Sequence, residues 1–230
     1  MNVDELVENL IEELNCEVVF TIPIFGGIPV FESVVVTWII IATFFLLCIS
    51  LVRNLSVENP SRKQVVIETG VKWLHDFFKE ALGENATEYI PYLASVIIYI
   101  GIANIIGIFG FKSPTKDINV TAALALMSII LIQVARIRTR GTRGWIKGFA
   151  EPTPVVLPIN ILELAIKPLS LCMRLFGNVL GAFAVMELVK LVVPVFVPAI
   201  LCCYFDIFDG LIQAYVFAFL TALFIKEATE

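Results

Sequence analysis

Residues 168–186 read PLSLCMRLFGNVLGAFAVM, and Arg174 is the only charged residue in that run. The run is long enough to cross a bilayer. An arginine near mid-membrane costs about 2.5–3.5 kcal/mol on insertion scales. Its pKa is too high for deprotonation to relieve that cost. Such a residue is usually retained for a task, often an ion path or a counter-charge. The structural alternative is a snorkelling or internally paired side chain.

The surrounding chain is equally apolar. Of its 230 residues, 59% are hydrophobic, more than a soluble domain of this length can hide. Uncharged runs at 33–52, 89–111 and 118–135 are long enough to span a membrane, and 155–225 is almost continuously apolar. The expectation is an all-α polytopic membrane protein, one integral membrane domain over 1–230. Five crossings are placed at about 33–52, 89–110, 118–137, 159–193 and 199–226. Residues 60–83 have apolar positions near helical spacing with charges between, and read as an amphipathic interfacial helix. The region 155–227 forms a hairpin of two long helices, with Val193-Pro194 and Val197-Pro198 at its turn. A helix of about 35 residues is about 50 Å long against about 30 Å of hydrocarbon, so these helices tilt strongly or protrude.

Charge is segregated. Residues 1–32 carry Asp4, Glu5, Glu8, Glu12, Glu13, Glu17 and Glu32 and no Lys or Arg. One basic group holds Arg53, Arg62, Lys63, Lys72 and Lys79; another holds Arg136, Arg138, Arg140, Arg143 and Lys147. The positive-inside rule puts both in the cytoplasm, the N-terminal segment outside and the C-terminus inside. The second group lies between apolar spans, so topology explains it better than nucleic-acid binding. Cys16, Cys48, Cys172, Cys202 and Cys203 have neither metal-site nor disulfide spacing. No cofactor or metal is called for.

Helical geometry gathers the remaining polar residues. A step of about 100° per residue puts positions 3, 4, 7 and 11 apart on one face. Glu163, Lys167, Ser170, Arg174, Asn178 and Gly181 therefore share one side of their helix, which should face protein or water rather than lipid. Gly177 and Gly181 allow another backbone to come close. Glu187 and Lys190 point to the opposite side, spaced to pair with each other. On the last helix, Asp206, Asp209 and Gln213 share a face. One permanent cation near mid-membrane thus has Glu163 on the cytoplasmic side and Asp206, Asp209 and Glu187 on the outer side. That arrangement fits two aqueous half-paths separated by a positive barrier.

KPLSL at 167–171 and RLFGN at 174–178 resemble the signature of subunit a of F-type ATP synthases. PTKDINVTAALAL (114–126), RGWIKGFAEP (143–152) and GLIQAYVFAFL (210–220) resemble other stretches of that family, in the same order. The resemblance implies a stator subunit beside a rotating c-ring, with two offset half-channels passing protons or sodium ions to and from ring carboxylates. It implies peripheral stalk subunit b and the bilayer as partners, a soluble ATPase sector coupled indirectly, and a bacterial cytoplasmic membrane. Arg174 corresponds to the family's essential arginine, Asn178 and Gln213 to polar residues near it, Asp206 to the outer-channel position, and Glu163 to an acid at the cytoplasmic exit. Two departures stand out. Some relatives have an acid where this chain has Phe183, a role Glu187 is placed to substitute, and Asp209 occupies a position that is often apolar.

The chain has no GxxxxGK[ST] loop, so nucleotide chemistry belongs to another subunit. Enzyme activity would belong to the complex. The competing reading is a stand-alone secondary transporter using Arg174 as substrate counter-charge, which would need broken helices or internal repeats.

Overall fold

The computed structural model describes residues 18–23, 28–53, 55–56, 60–109, 113–148, 156–192, 200–201 and 203–229. Among these, six α-helices carry the fold: α1 Glu32–Val52, α2 Arg62–Leu82, α3 Ile90–Ile105, α4 Ile118–Gly148, α5 Leu157–Val192 and α6 Gly210–Thr229. Five helical segments are long and apolar enough to cross a membrane: Glu32–Val52, Ala86–Ile105, Ile118–Trp145, Leu157–Met186 and Tyr204–Thr229. The all-α polytopic expectation holds. One small addition is an antiparallel hairpin of β1 Val18–Ile22 and β2 Ile28–Phe31 leading into α1. The acidic residues 4–17 and the expected turn at 193–199 lie outside the described residues.

Local chemistry sets the helix ends. Ser61 caps α2 by accepting from the Gln64 amide at 3.3 Å. Gly83 ends α2 at φ 79°, a conformation that favours glycine. Its N–H donates to the Lys79 carbonyl at 2.9 Å. Asp117 caps α4, its carboxylate accepting from the Asn119 amide at 2.8 Å. Helix α4 runs past the expected end at 137. It continues to 148 across a break at Gly141, where φ is 69°, and the Trp145 indole donates back to Gln133 Oε1 at 2.9 Å.

Helix α6 stands at the centre. Its buried Ala214, Ala218 and Ala222 recur every fourth residue, the small-residue stripe that lets membrane helices approach closely. One core cluster joins α2, α3, α4 and α6 through Phe78, Leu93, Ile132 and Ile225. A second joins α3, α4, α5 and α6 through Ile100, Leu124, Leu175 and Phe217. Helix α2 is amphipathic as expected, but its Phe78 and Leu82 pack into protein while Val66 and Trp73 stay exposed. Helix α1 packs on the bundle through Val36 and Ile40 against Ala103, and its Thr37 hydroxyl lies 3.0 Å from the Tyr99 hydroxyl.

The buried Asp117 also accepts from the Ser33 hydroxyl at 2.5 Å, tying the start of α1 to the start of α4. Asp117→Ala removes both the cap and this tie. The thermal midpoint of the purified protein should fall by the equivalent of about 1–2 kcal/mol, and less for Asp117→Asn, which remains a good cap.

Candidate functional site

Helix α5 has two unlike faces. Leu171, Cys172 and Leu175 are buried against α3, α4 and α6. An adjoining side exposes Ser170, Arg174, Asn178 and Gly181, which share a sector of the helix at 100° per residue, with Asn178 at its border with the buried side. The Arg174 guanidinium makes no hydrogen bond or ion pair among the described residues. Among the described residues, a Cβ at Gly177 or Gly181 would meet nothing within 4 Å. Only 17% of the apolar window of α5 is buried, against 39–44% for the spans of α3, α4 and α6. The span of α1 is also mostly uncovered, at 11%, but residues 33–52 carry no charge and suit lipid. The uncovered face of α5 carries an arginine, an asparagine and a serine, and does not.

The polar face is tied to α6. Asn178 donates to Gln213 Oε1 at 2.5 Å. Gln213 is 3% exposed, and its own amide nitrogen has no partner among the described residues. Gln213 is thus the buried link between the polar side of α5 and the helix that carries the acids of the last crossing.

Those acids do not sit on a straight α-helix. Tyr204–Asp209 is a π-helical turn joined to α6. A π turn takes in one more residue than an α turn, about 100° of ordinary rotation. Asp206 is therefore rotated off the single face that uniform periodicity predicts, while Asp209, four residues before Gln213, stays one α turn from it. Both are half-buried. The Asp206 carboxylate comes within 3.5 Å of the point where Gly107 would carry a Cβ.

At the other end of α5, Glu163 is not a lone acid. Lys167 pairs with Glu163 at 2.9 Å and with Glu227 at 3.0 Å. Its ammonium also lies 4.9 Å from the centre of the Phe224 ring. Gln133, Arg136 and Asn160 complete a polar cleft of about 40 Å³ around this group, room enough for water. The structure thus bonds Asn178, one turn from Arg174, to Gln213, places Asp206 and Asp209 on the adjoining turn, and holds Glu163 in a separate ionic group. The backbone of Glu187 belongs to α5, but its side chain and that of Lys190 lie outside the described residues, and so does their expected pair.

Sequence reasoning passed over three features. Glu227 was outside the polar stripe because it lies 60 residues from Lys167. Lys116 sits 4.7 Å from the centre of the Phe183 ring, at the position where an acid was considered. Asn104, an amide inside an apolar run, was a readable signal, since a buried polar group in a membrane span needs partners.

The site stands beside known proteins as follows. A family model described as ATP synthase A chain matches residues 34–226. A protein named ATP synthase subunit a from Moorella thermoacetica is 36% identical over 203 residues, covering 88% of this chain and 92% of that protein. One of the same name from Legionella pneumophila (strain Philadelphia 1) is 34% identical over 206 residues, 89% of each. ATP synthase subunit a, sodium ion specific, from Propionigenium modestum is 34% identical over 216 residues, covering 87% of this chain and 74% of that protein. The matched region contains Arg174, Asn178, Gln213 and both acids of the π turn, and the chain belongs to the ATP synthase A chain family.

Proposed function

We propose that this chain is the stationary ion path of an F-type ATP synthase in a bacterial cytoplasmic membrane, its N-terminus outside and its C-terminus inside. Two aqueous half-channels, offset across the bilayer, exchange protons or sodium ions with carboxylates on a rotating c-ring. The observation that carries this reading is the Arg174 guanidinium, exposed on a membrane helix and unpaired among the described residues. A fixed cation on an uncovered polar face suits a partner that supplies the opposite charge. Gly177 and Gly181, with open space above them, suit close approach of that partner's backbone. Subunit b and the lipid bilayer would cover other surfaces, and the soluble ATPase sector would be reached through the assembled complex.

The mechanism is electrostatic. A loaded, neutral ring carboxyl can face lipid. Beside Arg174 its ionised form is favoured, because an opposite charge within a few ångströms stabilises the charged state. The ion leaves to one half-channel, the carboxylate passes the arginine, and it reloads from the other. Arg174 also repels any cation that would pass straight through. The membrane potential supplies about 2.3 kcal/mol per charge per 100 mV. Asp206 and Asp209 serve the outer half-channel, with Glu187 as a further acid there. Glu163, with Ser170 toward the centre, serves the inner one, where the Lys167–Glu227 pair and the polar cleft support access by water. Asn178 and Gln213 hold the two helices in register beside the arginine.

Ion identity is read by adding sodium at fixed pH. Stimulated ATP hydrolysis and protection of the ring carboxyl from modification would mark a sodium path. Neither effect would appear with a proton path.

Arg174→Ala should abolish ATP synthesis and ATP-driven transport in proteoliposomes while the complex still copurifies; normal coupled transport would remove the gating role. Arg174→Lys should also fail to couple well, since a desolvated lysine can give up its proton. Asp206→Ala and Asp209→Ala should each slow transport, by about tenfold for the acid that loads the ion, or about 1.4 kcal/mol on the limiting step. Comparing the two identifies that acid.

A further inference from the structure

We infer that Asn104 is a positioning residue for the ion path, its side-chain amide holding the π turn that carries Asp206 and Asp209. The inference rests on the role proposed above for those two acids.

Asn104 is 6% exposed and is the one side-chain amide in α3. Its Nδ2 donates to the Gly210 carbonyl at 2.9 Å, and its Oδ1 accepts from Thr115 Oγ1 at 2.7 Å. The orientation is forced. A backbone carbonyl can only accept, so the NH₂ end must face Gly210 and the Thr115 hydroxyl must donate to the other end. Thr115 is fully buried. Ser113 lies 2.7 Å from Thr115 Oγ1 and donates to the Ala103 carbonyl at 2.7 Å. The segment 113–115, the end of α3 and the first residue of α6 form one buried polar bracket.

Gly210 is where the bracket grips. Its φ of −59° is ordinary for a helix, so backbone freedom does not explain the glycine. Space does: a Cβ there would lie 2.7 Å from the Asn104 Cβ. Gly210 also closes the π turn, its N–H donating to the carbonyls of Ile207 and Phe205. Whatever fixes Gly210 fixes the rotation at which the turn presents its acids. Three residues beyond Asn104, Gly107 lies against the Asp206 carboxylate. One stretch of chain therefore meets the turn at its closing residue and at an acid. A π turn costs backbone hydrogen-bond geometry and usually persists where its surroundings hold it.

The test is ATP synthesis by the intact complex in proteoliposomes, at a fixed potassium-diffusion potential. The variable is the concentration of transported ion on the side opposite the soluble sector. Asn104→Leu removes both bonds at similar volume, and should raise the half-saturating ion concentration about three- to tenfold, as loss of one or two hydrogen bonds to the turn implies. Thr115→Val, of nearly identical shape, should shift it in the same direction by less, and serves alone if Asn104→Leu does not assemble. Thr115→Ser keeps the hydroxyl and should keep the wild-type value. Unchanged half-saturation in Asn104→Leu or Thr115→Val, with only the maximal rate or the yield reduced, would make the bracket merely structural. Asp206→Ala and Asp209→Ala run in the same assay separate the two levels. If both conduct normally, the proposed outer acids fall and this inference with them. If either acid variant is slow while the Asn104 and Thr115 variants keep their half-saturation, the positioning role alone falls.

Discussion

A guanidinium in a membrane helix has few ways to exist. It cannot neutralise itself by losing a proton. It can snorkel, pair within its own chain, or face water or another protein. Arg174 lies well inside α5, and no intrachain partner satisfies it among the described residues. The remaining architecture answers that constraint. Leu171, Cys172 and Leu175 anchor the adjoining side of the helix in the core, so the rotation of α5 that leaves the arginine exposed is fixed by packing. A charge that must act on a passing partner gains from this, since a rigid support loses little in reorganisation when the partner arrives.

Rigidity comes from α6. Ala214, Ala218 and Ala222 let neighbouring helices close on it, and in lipid that close van der Waals contact replaces the hydrophobic drive of a soluble core. Gln213 lies beside this stripe as a buried amide bonded to Asn178. A hydrogen bond across helices is worth only about 0.6 kcal/mol on average in a membrane protein. Its contribution here is register more than stability: it fixes which residues of α6 lie beside the Arg174 face.

How much could be read beforehand depends on the kind of signal. The spans, the amphipathic α2 and the two faces of α5 follow from apolar run length and 3.6-residue periodicity, which local sequence carries directly. The link from Asn178 to Gln213 crosses 35 residues. Periodicity placed Asn178 beside Arg174, but only the family resemblance placed Gln213 near it. The π turn escaped detection because no residue type marks it. It arises where Gly210 approaches Asn104, a contact across 106 residues, and periodicity assumes a uniform helix. Asn104 escaped for another reason. A search for charges in apolar runs passes over an amide, although a buried amide needs partners nearly as firmly. The continuation of α4 past 137 was hidden because its basic residues fit a cytoplasmic loop and a helix end equally well.

Two helices, α1 and α5, leave most of their span uncovered, and bare area alone cannot say what covers either. Composition can. The exposed side of α1 is Trp38, Ile39, Phe45 and Leu46, which acyl chains solvate as well as protein would. The exposed side of α5 includes two glycines that no other element approaches among the described residues and whose backbone angles are ordinary. In a helix interior a glycine costs about 1 kcal/mol relative to alanine. Among the described residues, no packing contact offsets that at Gly177 or Gly181. A helix from outside, brought close beside the arginine, would. The glycines and the charge thus bear on one conclusion by independent routes, steric for the first and electrostatic for the second.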